Sequence, residues 1–493
     1  MPIREPIKQL GKSTAVYGLG NVLNKVAAVL LIPIYTHYLT LSDVGILALL
    51  EMVEILMLTV VPLGMNNALW RNLPSKGKLG KRRMIFTAFV GTLVVNFILL
   101  GLIGFNHRFP APFLGLEDNQ SYLLLLVLTN VFFTFGFRFL LSLLQYEGKA
   151  GSYIIFSLSQ FVGVLLVTVY LVVLRGTELQ GVLMAKVIVS APIFLVASIA
   201  IFIKYISWPS PAEYVRLLRF GLPFVLFTLV MPVLSFSDRY FLKSFNIELT
   251  DIGIYYIAYK FGMIINMILV MPLQRGWIPM MYKMGIGEKS RQYLRDIMFY
   301  FSTVGVFLFM VISFFSEELI GVFAGQEYLV GSPIISVVAF AYLINGFRQF
   351  FMAGTVLTDK TIWLTLSSVS GMVINLVLNY FLIRKFGMWG AAWATLISYT
   401  LLSGLVYIIS QNFVRLDWAW KRVFALFSIT AIMFAGVIFL QAEFTDVRQI
   451  ISLSGLVTFV ILLRLTGIIG KKEITGVKSL FQRVRLPSLH RNL

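Results

Sequence analysis

Cysteine is absent from the 493-residue chain, which excludes a disulfide framework and any thiolate metal site. Histidine occurs three times, at His37, His107 and His490, too far apart in sequence to point to a metal centre. Acidic residues number 22 against 41 Lys plus Arg, and all charged residues together make up only 13% of the chain. There is no G-x-x-x-x-G-K-S/T phosphate loop, no soluble nucleotide domain and no polar outer loop large enough to hold a sugar acceptor. These absences argue against an ATP-driven pump, a membrane glycosyltransferase, a polymerase and a ligase; no cofactor and no metal is expected. The opening "MPIREPIKQLGKS" lacks the apolar core and cleavage site of a signal peptide, so it reads as the start of the mature chain.

What is present is hydrocarbon. Hydrophobic residues form 58% of the chain and the mean hydropathy is +0.86. Apolar runs near the length needed to cross about 30 Å of lipid as helix recur from end to end. Lipid offers no partner to backbone N–H and C=O groups, so such runs must be helical. The expectation is an all-α polytopic membrane protein with 14 transmembrane helices. The spans run near 13–38, 42–66, 84–105, 119–144, 151–174, 180–203, 220–243, 253–275, 296–316, 332–355, 362–383, 389–411, 422–441 and 449–469. The net charge of +19 sits mainly in short connections rather than on one face, so nucleic acid is not an expected partner. With both termini cytoplasmic, Lys plus Arg favours the inner segments over the outer loops by more than five to one. In the tail, Val477, Leu480, Phe481 and Val484 at helical spacing beside Lys478, Arg483 and Arg485 fit either a surface helix on anionic lipids or a disordered basic tail.

The chain repeats itself. "LTLSDVGILAL" (39–49) resembles "IELTDIGIYYI" (247–257), and "VVPLG" (60–64) matches "VMPLQ" (270–274). The Gly-Phe-Arg triplet ending in Arg138 recurs at Arg348, and Tyr170, Gly181 and Ala185 align with Tyr380, Gly390 and Ala394. Four matches in one order, offset by 208 to 210 residues, make spans 1–6 and 7–12 two parallel six-helix repeats, with spans 13–14 added. The boundaries are an N-lobe at 1–203, a cytoplasmic linker at 204–219, a C-lobe at 220–411, the added spans at 412–469 and a basic tail at 470–493. Parallel repeats are characteristic of secondary transporters whose site lies between the halves near the midplane.

An ionised side chain at a helix centre costs about 2.5–3.5 kcal/mol on insertion scales, so intramembrane charges mark wet interiors or pairs. Lys25, with Asn21 one turn earlier on the same face, lies mid-span in span 1 and reads as cavity-lining or as a partner of Glu51 or Glu54. Lys260 in span 8 either lines the cavity or snorkels. Arg138 and Arg348, nearer the cytoplasmic surface, are structural anchors or a pair of guanidinium forks suited to phosphate. Lys186, Arg239 and Lys243 are expected to snorkel outward. Glu51 and Glu54 share a helix face and either bind a coupling ion, H⁺ or Na⁺, or pair with a lysine; the repeat sets Glu51 opposite Lys260. Asp238 reads as a local partner of Arg239.

The segments "KSTAVYGLGNVLNKVAAVLLIPIYTHYLTLSDVGILALL" and "VINLVLNYFLIRKFGMWGAAWATLISY" resemble those of polysaccharide-biosynthesis transporters, the O-antigen (Wzx-type) and exopolysaccharide flippases. These belong to the multidrug/oligosaccharidyl-lipid/polysaccharide exporter superfamily. The resemblance implies two lobes in a V around a cationic cavity in the cell membrane, working by alternating access. It implies a polyprenyl-diphosphate-linked oligosaccharide as substrate, moved from inner to outer leaflet, with Lys25, Lys260, Arg138 and Arg348 inheriting the cavity role. Polysaccharide polymerases or other biosynthesis proteins are the implied protein partners, and spans 13–14 are implied to hold the lipid tail. The alternatives are a Na⁺- or H⁺-coupled multidrug extruder, favoured by the two glutamates, a lipid II flippase, and a non-transporting scaffold for polysaccharide enzymes.

Overall fold

The computed structural model describes residues 29–285 and 287–468. Among them there is no strand, and twelve helices are long and apolar enough to cross a membrane. One of these, Ile362–Phe413, is 52 residues long, far more than a bilayer needs. It breaks at Gly387, where φ is 55° and ψ is −133°, a conformation open to glycine and strained for other residues. Asn375 donates to Ser398 at 3.2 Å across the break, so the element is an antiparallel hairpin carrying spans 11 and 12. Spans 2 to 14 are thus all present, and Ile32–Tyr38 is the described end of span 1. Lys25, Asn21 and the basic tail from 470 lie outside the described residues.

Helix starts follow local chemistry. Span 2 (Leu41–Asn72) opens on a capping box, in which Asp43 N–H donates to Thr40 Oγ1 at 3.1 Å and Thr40 N–H donates to the Asp43 carboxylate at 3.3 Å. Span 7 (Pro211–Ser244) starts with Ser210 as N-cap and Pro211 in the first turn, where a missing N–H costs nothing. The polar stretch 204–219 is therefore mostly helical: span 6 runs to Tyr205 and span 7 begins at Pro211, so only 206–210 is non-helical. The stretches 71–83 and 283–296 shorten for the same reason, because Lys78 and Glu288 already begin helices. Polar sequence there marks helix that protrudes beyond the hydrocarbon.

Spans 2 and 8 (Leu249–Gln274) cross at backbone distance. A Cβ on Gly45 would stand 2.0 Å from the Leu249 carbonyl oxygen, and one on Gly253 would stand 2.4 Å from that of Leu41. Gly45 and Gly253, like Leu41 and Leu249, are partners in the sequence repeat. The contact is therefore reciprocal, as an approximate two-fold requires. Spans 13 (Trp420–Glu443) and 14 (Thr445–Leu465) pack on the outside of span 9 (Arg291–Phe314). The buried Gln441 amide holds them there, donating to the Phe314 carbonyl at 3.1 Å and to Ser452 Oγ at 2.6 Å. Phe434 adds ring contacts to Phe309 and Phe314, and Arg448 pairs with Glu317.

Candidate functional site

The apolar helices converge on a layer of charge. Glu51 is about 15 Å along span 2 from Leu41, and Lys260 about 16 Å along span 8 from Leu249, close to the middle of a 30 Å hydrocarbon slab. The close crossing at Gly45 and Gly253 brings these helices together, and the Lys260 ammonium stands 3.4 Å from a Glu51 oxygen. Lys186, from span 6 (Glu178–Tyr205), stands 3.8 Å from the other Glu51 oxygen and donates to Glu54 at 2.7 Å. The remaining Glu54 oxygen accepts from the Asn130 amide of span 4 (Asp118–Tyr146) at 2.9 Å. Tyr35 and Tyr256 flank Lys260, with ring centroids 5.4 and 4.1 Å from its nitrogen. The four ionised side chains retain 13 to 21% of their accessible surface, so they face internal space rather than solid core. Two carboxylates meet two ammonium groups, and this described part of the layer carries no net charge.

The layer continues into span 7 as a polar network. Asp238 accepts from Tyr255 Oη at 2.5 Å and from the Arg239 N–H at 2.8 Å, with the Arg239 guanidinium 3.8 Å away. That guanidinium lies over Phe236, Tyr259 and Tyr256, at 4.8, 5.1 and 5.7 Å from the ring centroids. Tyr256 is thus shared between Lys260 and Arg239. Tyr259 Oη reaches Tyr342 Oη at 2.9 Å and the Ser235 carbonyl at 3.1 Å, while Ser235 Oγ meets Tyr399 Oη at 3.2 Å.

Toward the end of the bundle that carries the 73–77 connection, two cavities each hold one of the duplicated arginines. Arg138 lines about 560 Å³ between spans 2, 4 and 5 (Ala150–Leu174). Arg348 lines about 610 Å³ between spans 7, 8, 10 (Gln326–Leu357) and 11, and its Nε donates to Asn345 Oδ1 at 3.0 Å. Neither arginine belongs to the charged layer.

Two sequence expectations need correction. Lys186 does not snorkel, because Glu54 and Glu51 hold it inward. Arg239 does not either; it is 3% exposed and enclosed by three aromatic rings, which replace water with π-faces. Asn130, Tyr35 and Tyr256 were missed as members of the site. They are uncharged, and only tertiary packing brings them to it.

A family model described as polysaccharide biosynthesis protein matches residues 10–285. The probable low-salt glycan biosynthesis flippase Agl15 of Haloferax volcanii is 25% identical over 145 residues, 29% of this chain and 30% of that protein, so the match spans about a third of the relative's length. A lipid II flippase MurJ structure in an inward closed conformation superposes with a TM-score of 0.75 at 14% identity, covering 91% of this chain and 99% of that one. An inward-facing multidrug resistance MATE family transporter of the MOP superfamily gives 0.63 at 15% identity, covering 79% and 94%. These superpositions identify the fold as the one that flippase and that transporter share. With the family model spanning more than half its length, this multi-pass membrane chain belongs to the polysaccharide biosynthesis protein family.

Proposed function

We propose that the protein flips a polyprenyl-diphosphate-linked oligosaccharide, an O-antigen or exopolysaccharide repeat unit, from the inner to the outer leaflet by alternating access. The observation that carries this reading is the ion pair from Lys260 to Glu51, which joins two helices of different repeats at mid-membrane beside internal space. The lobes are residues 1–203 and 220–411, with 412–469 appended and both termini cytoplasmic. For the lobes to part at this level the Lys260–Glu51 contact must break. Leaving a buried charge without its partner costs about 3–5 kcal/mol. A diphosphate removes that barrier by replacing the Glu51 carboxylate at Lys260 and Lys186, and Lys25 and Asn21, outside the described residues, are further ligands on this reading. Arg138 and Arg348 line the cytoplasmic mouth through which the substrate enters, the sugars travel in the wet interior and the prenyl tail stays in lipid. Anionic lipids and polysaccharide polymerases are the partners that fit this role.

The neutral charge balance bears on coupling. A diphosphate brings about two negative charges to a layer whose described part is balanced; Lys25 offsets one of them, and the other calls for a cation entering with it or a proton taken up by Glu51 or Glu54. That accounting supports H⁺ or Na⁺ coupling. The paired glutamates and the MATE-like fold also favour a second reading, an ion-coupled extruder of organic cations. The MurJ-like fold keeps lipid II as an alternative substrate.

Translocation in proteoliposomes decides among these. The substrates are a prenyl-diphosphate-linked oligosaccharide, lipid II and an organic cation, each with and without a Na⁺ or H⁺ gradient. We expect the lipid-linked sugar to move, and Lys260→Gln to reduce its transport at least tenfold at equal protein level. Expulsion of the organic cation alone would refute the flippase reading. Because the chain has no cysteine, Ser75→Cys gives a single reactive thiol on an exposed connection, and an impermeant maleimide should label it only from the cytoplasmic side.

A further inference from the structure

The duplicated arginines sit in cavities that have diverged. Around Arg348 the walls mix Phe224, Phe227, Met231 and Leu364 with Gln274, Thr228 and Thr365, and the guanidinium is already held by Asn345. Around Arg138 the walls present the amides of Asn66, Asn67, Gln145 and Gln160 together with the indole of Trp70. Arg138 is exposed to its cavity and, although within electrostatic reach of Glu54, forms no ion pair among the described residues. A wet vestibule inherited by both repeats would not explain why only one has acquired four amides and an indole.

The chemistry of the Arg138 set is that of carbohydrate recognition. Each amide offers both donor and acceptor, which matches the paired hydroxyls of a sugar ring. An indole provides a broad apolar face for the C–H side of the ring and keeps its polar edge for a hydrogen bond. Here that edge is spoken for: Trp70 Nε1 donates to Ser142 Oγ at 3.2 Å, and Tyr146 meets the ring edge-on at a centroid distance of 6.2 Å. The indole is therefore oriented while 43% of its surface remains open. A volume of about 560 Å³ lies within the range of small-molecule sites. A guanidinium fork without a carboxylate partner is the group that takes a planar or tetrahedral oxyanion in a bidentate grip.

We infer that the Arg138 cavity is the docking site for the saccharide part of the substrate, with a sugar ring on Trp70 and an anionic oxo group of the glycan on Arg138. This rests on the flippase reading and adds to it a preference for acidic glycans, separate from the diphosphate site at the charged layer. The oxo group is a uronate carboxylate, and the test separates it from the carrier phosphates.

On the full chain in nanodiscs, saturation-transfer NMR would titrate a glucuronosyl-glucose disaccharide and cellobiose, its neutral counterpart, while phosphorus-31 line broadening would titrate inorganic pyrophosphate, which has no protons to saturate. Wild type is expected to bind both disaccharides, the acidic one more tightly. Arg138→Gln should weaken the acidic disaccharide at least tenfold and leave cellobiose unchanged. Trp70→Ala should abolish both, and Trp70→Phe should retain them, which separates loss of the stacking face from loss of fold. Pyrophosphate binding should survive Arg138→Gln and fall in Lys260→Gln. Disaccharide binding that is absent from wild type, or unchanged in Arg138→Gln and Trp70→Ala, overturns the inference. Pyrophosphate binding lost with Arg138 also overturns it and assigns the arginine to the carrier phosphates. Failure of the flippase reading shows separately: proteoliposomes would then translocate no lipid-linked sugar although the disaccharides still bound through Arg138.

Discussion

Replacing Glu51 by Gln and Lys260 by Gln, singly and together, tests whether the inter-repeat ion pair acts as a unit. At an effective dielectric constant near 20, unit charges 3.4 Å apart attract by about 5 kcal/mol, and those 3.8 Å apart by about 4 kcal/mol. Desolvation offsets much of this, so the net value of the intact pair is small, while breaking it from one side costs about 3–5 kcal/mol. The two breaks are not equivalent. Lys260→Gln leaves Glu51 with Lys186, so we expect a loss of about 1–2 kcal/mol. Glu51→Gln takes away the only carboxylate paired with Lys260 among the described residues and leaves two ammonium groups without the charge between them. Its loss should be about 3–5 kcal/mol. The double variant should recover at least about 2 kcal/mol relative to the sum of the singles. Equilibrium unfolding in mixed micelles titrated with SDS reads all four states of the cycle. Additive losses, or Lys260→Gln being the worse single change, would refute the assignment.

Three further outcomes are expected. Gly253→Ala puts a methyl 2.4 Å from the Leu41 carbonyl oxygen, so the crossing must open by about 1 Å; it should cost about 1–3 kcal/mol and slow transport, whereas Gly101→Ala, which meets nothing within 4 Å, should do neither. Glu147, outside the membrane spans, is pushed up by burial but held down to about 2 by hydrogen bonds from Lys149, Lys204 and Tyr205. A carboxylate with a depressed folded-state value stabilises above its unfolded value of 4.5, and that stability disappears as pH falls toward about 2. Solvent screening reduces the contribution to about 1 kcal/mol, and Glu147→Gln should flatten this part of the acid-side fall in thermal stability. Gln441→Leu leaves the Phe314 carbonyl only the 3.4 Å hydrogen bond from Ser452 Oγ and should cost about 1 kcal/mol, seen as earlier proteolysis of spans 13 and 14 on heating.

The bilayer makes much of the fold legible in the sequence. Every span must be long, apolar and internally hydrogen-bonded, so apolar runs alone locate spans 2 to 14, while polar helix beyond the hydrocarbon hides several ends: span 7 starts at 211 although its apolar run starts near 220. The repeat does more, because aligning its copies sets Glu51 against Lys260, and the structure places their charged groups 3.4 Å apart. Lys186 was misread because its partner lies within its own repeat, where the alignment is silent and only the rotation of span 6 about its axis decides. Arg239 was misread because its cage combines Phe236 on its own helix with Tyr256 and Tyr259 on the next. Depth along a helix can be read from sequence, whereas the direction in which a side chain points around that helix is set by packing.

The reciprocal glycine crossing also limits how the molecule can move. Gly45 against the Leu249 carbonyl and Gly253 against that of Leu41 leave neither helix room to slide along the other without losing the contact. Spans 2 and 8 are therefore hinged at one point, and Glu51 and Lys260 stand about 10 Å along their helices from it. A small swing about that fulcrum is enough to pull the bridge apart, so the leverage lies in the crossing and the latch in the charges.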